Sequence, residues 1–184
     1  MVRVFYCDIS QCIDFEKFIN GLQKNRREYV LSISDVLRRK QSILVFMLLE
    51  FCLTKFYLIN NPIFSENDGA WLLNDYDVKF SLSHSKNYIA VAISDKDVGV
   101  DVEKLDEKIL KLKNKFDYVS DAENLIKALT LEWTKRESLF KAGFGNNYIT
   151  ECIYDKFFDE YCLTVCTNYS TAEFINVDLN DFIK

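Results

Sequence analysis

The chain has 184 residues, of which 49% are hydrophobic, 28% charged and 15% aromatic, and its formal net charge is −5. That length can bury a substantial core, either as one domain or as two small halves packed together. Five Gly and one Pro leave little linker-like material, and the acidic balance speaks against general nucleic-acid binding, which needs a basic footprint.

Basic runs stand at Lys24 to Arg27, Arg38 to Lys40 and Lys108 to Lys115, and each reads most simply as a solvated face. Six cysteines, at positions 7, 12, 52, 152, 162 and 166, include no Cys-x-x-Cys pair, and His84 is the single histidine, so a zinc site is not expected. In an extended strand Cys162 and Cys166 would stand about 13 Å apart, too far to share one metal. No secretion signal opens the chain, which makes reduced thiols in a cytoplasm the expectation. Between Ile43 and Ile59 the apolar run is broken by Glu50 and Lys55, so a buried helix is expected there rather than a membrane span.

In chain order, Val2 to Cys7 reads as an opening strand from its β-branched and aromatic content. Ser34 or Asp35 can cap a long helix running to about Ile59, which Asn60-Asn-Pro62 then stops. Its nearly all-round apolar surface implies burial against more than one partner. Trp71 to Asp77 reads as a connector. Three short strands follow at Val78 to Leu82, Tyr88 to Ile93 and Val98 to Val102, the last two joined by a hairpin-like Ser94 to Asp97. A helix over about Ala122 to Ala142 should close at Gly143 or Gly145. Strands return at Ile149 to Tyr154, Tyr161 to Cys166 and Ala172 to Val177. No internal repeat is visible at the residue level. This order predicts an α+β protein of two halves joined near Gly99, with a cleft between them.

Three stretches carry candidate chemistry. In Val98-Gly-Val-Asp-Val-Glu103, strand alternation directs Asp101 and Glu103 to one face about 6.5 Å apart, where a hard divalent cation is the natural counter-ion. A solvated strand end is the plain alternative. In Trp133-Thr-Lys-Arg-Glu-Ser-Leu-Phe-Lys141, helical spacing aligns Trp133, Glu137 and Lys141, offering a further oxygen ligand and a positive charge for a phosphate. An ordinary salt bridge at that spacing is the competing reading. In Phe80-Ser-Leu-Ser-His-Ser85, His84 follows a strand and can donate to a phosphate or carry a proton. No glycine-rich phosphate loop and no Gly-x-Ser-x-Gly elbow accompanies them.

Together these three ordered motifs, from Phe80 to Gly143, resemble those of the phosphopantetheinyl transferase superfamily, and of its larger, monomeric two-lobed group in particular. That resemblance implies two similar α+β halves related by a pseudo-twofold, residues 1–98 and 99–184, each an antiparallel sheet with a long helix, and a site at their interface. It implies Mg²⁺ held by Asp101, Glu103 and Glu137 on the pyrophosphate of coenzyme A, with Lys141 on the same phosphates and His84 on a coenzyme A phosphate. Glu137 would act as general base, or Glu123, from a segment over Phe116 to Glu123 similar to the family's aromatic-led one. Arg136 replaces the family's usual lysine, and Glu50 stands near the place of an expected arginine. The coenzyme A 3′-phosphate would then fall to Arg38, Arg39 or Lys40. The implied partner is an acidic apo acyl or peptidyl carrier protein, met by Lys111, Lys113 and Lys115, with no role for nucleic acid or membrane. A Mg-dependent hydrolase of coenzyme A-like pyrophosphates, and an inactive protein that only binds carrier or coenzyme A, are the competing readings.

Overall fold

The computed structural model describes residues 1–67, 70–119, 123–144 and 153–183. Strand β1 (Val2–Asp8) is buried on both faces. Phe5 and Cys7 enter one core while Val2, Val4 and Tyr6 enter another. A strand covered on both sides needs a near-continuous apolar run, and the opening residues supply one. Around it lies a four-stranded sheet in the order β4-β5-β1-β9, with β4 spanning Lys79–Ser85, β5 Tyr88–Ser94 and β9 Ala172–Asn176. Strand β5 runs antiparallel to both β1 and β4, whereas β9 lies parallel to β1.

The first face of this sheet receives the expected long helix, named α2 (Val36–Tyr57) because a shorter one precedes it. The Asp35 carboxylate caps it by accepting the Arg38 amide at 2.7 Å, and Leu58 ends it in the left-handed region at φ 57°. Ile43, Leu44, Val45, Phe46, Leu48 and Leu49 are all buried, which demands cover beyond the sheet. Part of that cover comes from elements absent from the sequence expectations. These are a 3-10 turn (Glu16–Gly21), helix α1 (Lys24–Ser32) and a hairpin of β2 (Phe64–Asn67) and β3 (Ala70–Leu73). The hairpin overlaps what reads in sequence as a connector.

Helix α1 lacks an apolar periodicity, and a buried cation anchors it instead. The Arg26 guanidinium donates to the Ser42 carbonyl at 2.6 Å and its hydroxyl at 2.7 Å. It lies 4.2 Å from the Phe46 ring centre, 4.8 Å from Tyr29 and 5.1 Å from Trp71. The run from Lys24 to Arg27 is therefore not wholly a solvated face.

Strand β6 (Val98–Lys104) starts a second sheet, of order β6-β8-β7, with β7 at Ile153–Phe158 and β8 at Tyr161–Thr167. Ser94 to Asp97 is thus not a hairpin: β5 stays with β1, and β6 pairs with β8. The reason is packing, because Val98, Val100 and Val102 bury against Val4, Tyr6, Ala90 and Ala92 of the first sheet. Small Ala90 and Ala92 give the two sheets room to approach. On the opposite face of β6 lies α3 (Leu125–Lys141), capped by Asn124 accepting the Lys127 amide and followed by Gly143 at φ 77°. The helix start expected at Ala122, the stop at Gly145 and the run from Ile149 to Cys152 lie outside the described residues.

The architecture is α+β with several sheets. β9 crosses the boundary expected at residue 98, because it returns from the C-terminal segment to pair with β1. Among the described residues, no helix is long and apolar enough to cross a membrane. Cys7, Cys12, Cys52 and Cys162 are buried thiols. Burial pushes all four up, Cys162 to about 11, which makes them poor nucleophiles at neutral pH.

Candidate active site

The candidate residues of β6 and α3 gather where the two elements meet. Alternation along β6 turns Gly99, Asp101 and Glu103 toward the helix while the valines face the inter-sheet core. Helix α3 meets this surface with a stripe of small residues, Thr130, Thr134 and Ser138, all buried. A Cβ on Gly99 would stand 1.9 Å from the Ser138 carbonyl oxygen, so only glycine permits this approach. One turn away the Thr134 and Thr164 hydroxyls meet at 2.7 Å, tying α3 to β8.

Beside that stripe runs another, Trp133, Glu137 and Lys141. Lys141 Nζ donates to Asp101 Oδ1 at 2.7 Å and to the Val100 carbonyl at 3.0 Å. At the other end Trp133 and Glu103 line one cavity together. Half-buried Glu137 lies between Trp133 and Lys141 on this stripe, one turn from each. Across the sheet boundary, Ser83 donates to Asp101 Oδ1 at 2.9 Å and Ser85 to Glu103 Oε2 at 2.7 Å.

Asp101 is only 4% exposed. Burial raises its pKa, and Lys141 and Ser83 only partly oppose that. Burial likewise raises Glu103, opposed by Ser85 and reinforced by the neighbouring Asp101 charge. While Oδ1 of Asp101 takes two donors, its Oδ2 is buried without a partner. A desolvated carboxylate oxygen left unpaired is costly, and a hard cation is a ligand that would use it. The donors are all oxygens, as such a cation prefers. Among the described residues, no three His, Cys, Asp or Glu side chains are grouped to hold a metal by themselves.

His84 lies on the opposite face of β4 from Ser83 and Ser85. Burial lowers its pKa, and the charges of Lys141 and Arg38 lower it further, so the imidazole is neutral at pH 7. Of the three basic candidates at the start of α2, exposed Arg38 is thus the one within electrostatic reach of His84. Arg39 is engaged elsewhere, donating to the Ile33 carbonyl at 2.7 and 2.9 Å. Lys40 lies near Cys12. Arg136 lies over the Phe116 ring at 4.9 Å, and Glu123 is exposed just before α3.

Two cavities adjoin this centre. One of about 520 Å³ is walled by Glu103, Trp133 and five lysines, Lys86, Lys104, Lys108, Lys111 and Lys115. Lys113 does not line it. The other, of about 490 Å³, is lined by Trp71, Tyr76, Lys79, Phe80 and Lys141. A larger groove, about 910 Å³, surrounds Glu50, Met47 and Phe51 but includes neither strand acid nor Lys141, so size does not mark the site.

Sequence reading missed the serines of β4 as partners of the acids, and Arg26 as a buried anchor. The alternation Ser81-Leu-Ser-His-Ser85 was a usable signal, since one strand face of hydroxyls must meet something polar. Nothing in the run Lys24 to Arg27 marks which basic residue is buried.

A buried and a half-buried acid, a lysine and a neutral histidine, with cavities that reach Glu103 and Lys141, form a set suited to chemistry at a phosphate or pyrophosphate. The chain is 26% identical, over 162 residues, to a protein of Aneurinibacillus migulanus named 4′-phosphopantetheinyl transferase gsp. The match covers 81% of this chain and 68% of that relative, a distant similarity. No model of a known protein family matches the chain.

Proposed function

We propose that this protein transfers the 4′-phosphopantetheine group of coenzyme A to a serine of an apo carrier protein, releasing adenosine 3′,5′-bisphosphate. The observation that carries the reading is the Lys141–Asp101–Glu103 cluster, with its orphaned carboxylate oxygen, placed between an aromatic cavity and a lysine-walled one. The distant similarity to a transferase of that name supports it, as does the order of the three motifs. In this reading the two α+β halves form two related lobes and the site lies at their junction.

Asp101 and Glu103, with Glu137 beside them, would hold Mg²⁺. This ion is commonly bound by one or two carboxylates together with substrate phosphates, so a complete protein cage is not required. When bound it would neutralise charge on the pyrophosphate. Trp71, Tyr76 and Phe80 offer apolar faces for the adenosine end, and Lys141 reaches the phosphates from the same cavity. His84 with Arg38 contacts a further phosphate by hydrogen bond and charge. The pantetheine arm then extends into the cavity beside Glu103 and Trp133, whose lysines meet the acidic carrier.

The carrier's serine hydroxyl gives its proton to Glu137 or Glu123, directly or through one water. Its oxygen bonds to the β-phosphorus as the bond from that phosphorus to the bridging oxygen breaks. The electron pair leaves with adenosine 3′,5′-bisphosphate, and Lys141 steadies the charge that develops there.

Intact-mass measurement tests this directly, with the protein, coenzyme A, Mg²⁺ and a panel of apo carriers. Addition of the phosphopantetheine arm is expected, and Asp101→Ala should abolish it. Breakdown of coenzyme A without any carrier would instead establish the pyrophosphate hydrolase. Binding of coenzyme A or carrier without reaction would establish a protein that only binds.

A further inference from the structure

Three alternate serines of β4 stand against three alternate amides of β6. Ser81 Oγ accepts the Val100 amide at 3.0 Å, Ser83 Oγ the Val102 amide at 3.2 Å and Ser85 Oγ the Lys104 amide at 3.2 Å. Strand β6 is the edge of its sheet, so these outward N–H groups have no strand partner. Hydroxyls from the other sheet satisfy them, which by itself is a structural service.

The ladder is not uniform, however. A serine hydroxyl has one proton as well as its acceptor lone pairs. Ser83 directs that proton to Asp101 Oδ1 and Ser85 to Glu103 Oε2. Ser81 makes the amide contact opposite Gly99, where there is no carboxylate to hold. Edge satisfaction needs only the acceptor half of each rung, and the donor half is found where an acid is present. At Asp101 the consequence is specific: Ser83 and Lys141 converge on the same oxygen and leave the other unpartnered.

We infer that Ser83 and Ser85 are positioning residues that aim the two strand acids, so that cation affinity is set at the seam between the sheets. This rests on the acid pair being the cation site, as proposed above. Each hydroxyl fixes its carboxylate relative to the β6 backbone, and a shift of one sheet against the other would release both acids together.

The test is Mn²⁺ titration of the full chain, read by electron paramagnetic resonance, on the parent and on Ser81→Ala, Ser83→Ala, Ser85→Ala and Ser85→Thr, with thermal unfolding alongside. Ser83→Ala and Ser85→Ala should weaken Mn²⁺ binding about 10–100-fold, the usual cost of removing a hydrogen bond behind a metal ligand. Ser81→Ala should lose a similar amount of thermal stability yet bind Mn²⁺ within about twofold of the parent, and Ser85→Thr, which keeps the hydroxyl, should restore binding. If Ser83→Ala does not fold, the two Ser85 variants decide. Equal Mn²⁺ affinity across all three alanine variants would overturn the inference. A parent that binds no Mn²⁺ would remove the acid-pair site and this inference together. Normal Mn²⁺ behaviour with no carrier modified would remove only the transferase reading.

Discussion

Helices α2 and α3 each cover a sheet, by opposite means. Helix α2 does so with large apolar side chains, Ile43, Phe46, Leu49 and Leu53 among them, buried between the sheet and the α1–hairpin cover. Helix α3 presents Thr130, Thr134 and Ser138 to a surface of Gly99, Asp101 and Thr164. The first contact draws its stability from buried area. The second gives up area for close backbone approach, and so brings Lys141 onto buried Asp101 and Trp133 alongside half-buried Glu103. Apolar burial is concentrated at one helix and the candidate chemistry at the other.

If that division holds, mutations should separate folding from activity. Asp101→Ala should have the largest effect, about 10³-fold or more on transfer, the order expected when several kcal/mol of charge stabilisation is lost. Its unfolding temperature should fall only modestly, because losing an unsatisfied buried oxygen offsets part of the lost Lys141 and Ser83 contacts and Lys141 keeps access to water. Phe46→Ala should do the reverse, costing about 3–5 kcal/mol in denaturant unfolding while the folded fraction keeps its specific activity. Phe46 also carries the Arg26 guanidinium, so loss of both the ring and the cation contact belongs to one event.

Gly99→Ala should couple the two properties. Its Cβ meets backbone rather than a flexible side chain, so α3 must move, at about 1–3 kcal/mol of stability and with a fall in activity out of proportion to that. An unchanged kcat would show that the fit of α3 to β6 does not set the site.

A pH titration sharpens the α2 side. Burial pushes Glu50 up from 4.5 to about 7, and the nearby Arg26 charge only partly opposes this. Glu50 therefore takes up a proton on folding in that window, and its contribution to stability is lost as pH rises from about 4.5 through about 7. Glu50→Gln should flatten the slope and gain on the order of 2–3 kcal/mol at pH 8 in denaturant unfolding. The smallest effect is expected from Thr134→Val, about 1–2 kcal/mol for the lost buried hydroxyl pair, with activity changed by less than about threefold.

Residue pattern alone placed β1, α2, the three strands from Lys79 to Lys104, and the body of α3, because apolar alternation and caps are local signals. Asp35 as the cap of α2 and Gly143 after α3 follow from short-range chemistry of the same kind. Glycine, two acids at strand spacing and a lysine at helical spacing likewise marked Asp101, Glu103 and Lys141 as candidates for one site. What the pattern could not carry was partnership. That Ser94 to Asp97 changes sheets, that β9 returns to β1, that Arg26 is caged, and that Ser83 and Ser85 hold the acids all depend on contacts between residues far apart in the chain. Those contacts are chosen by which faces can close together with their polar groups satisfied, and only the folded arrangement decides that.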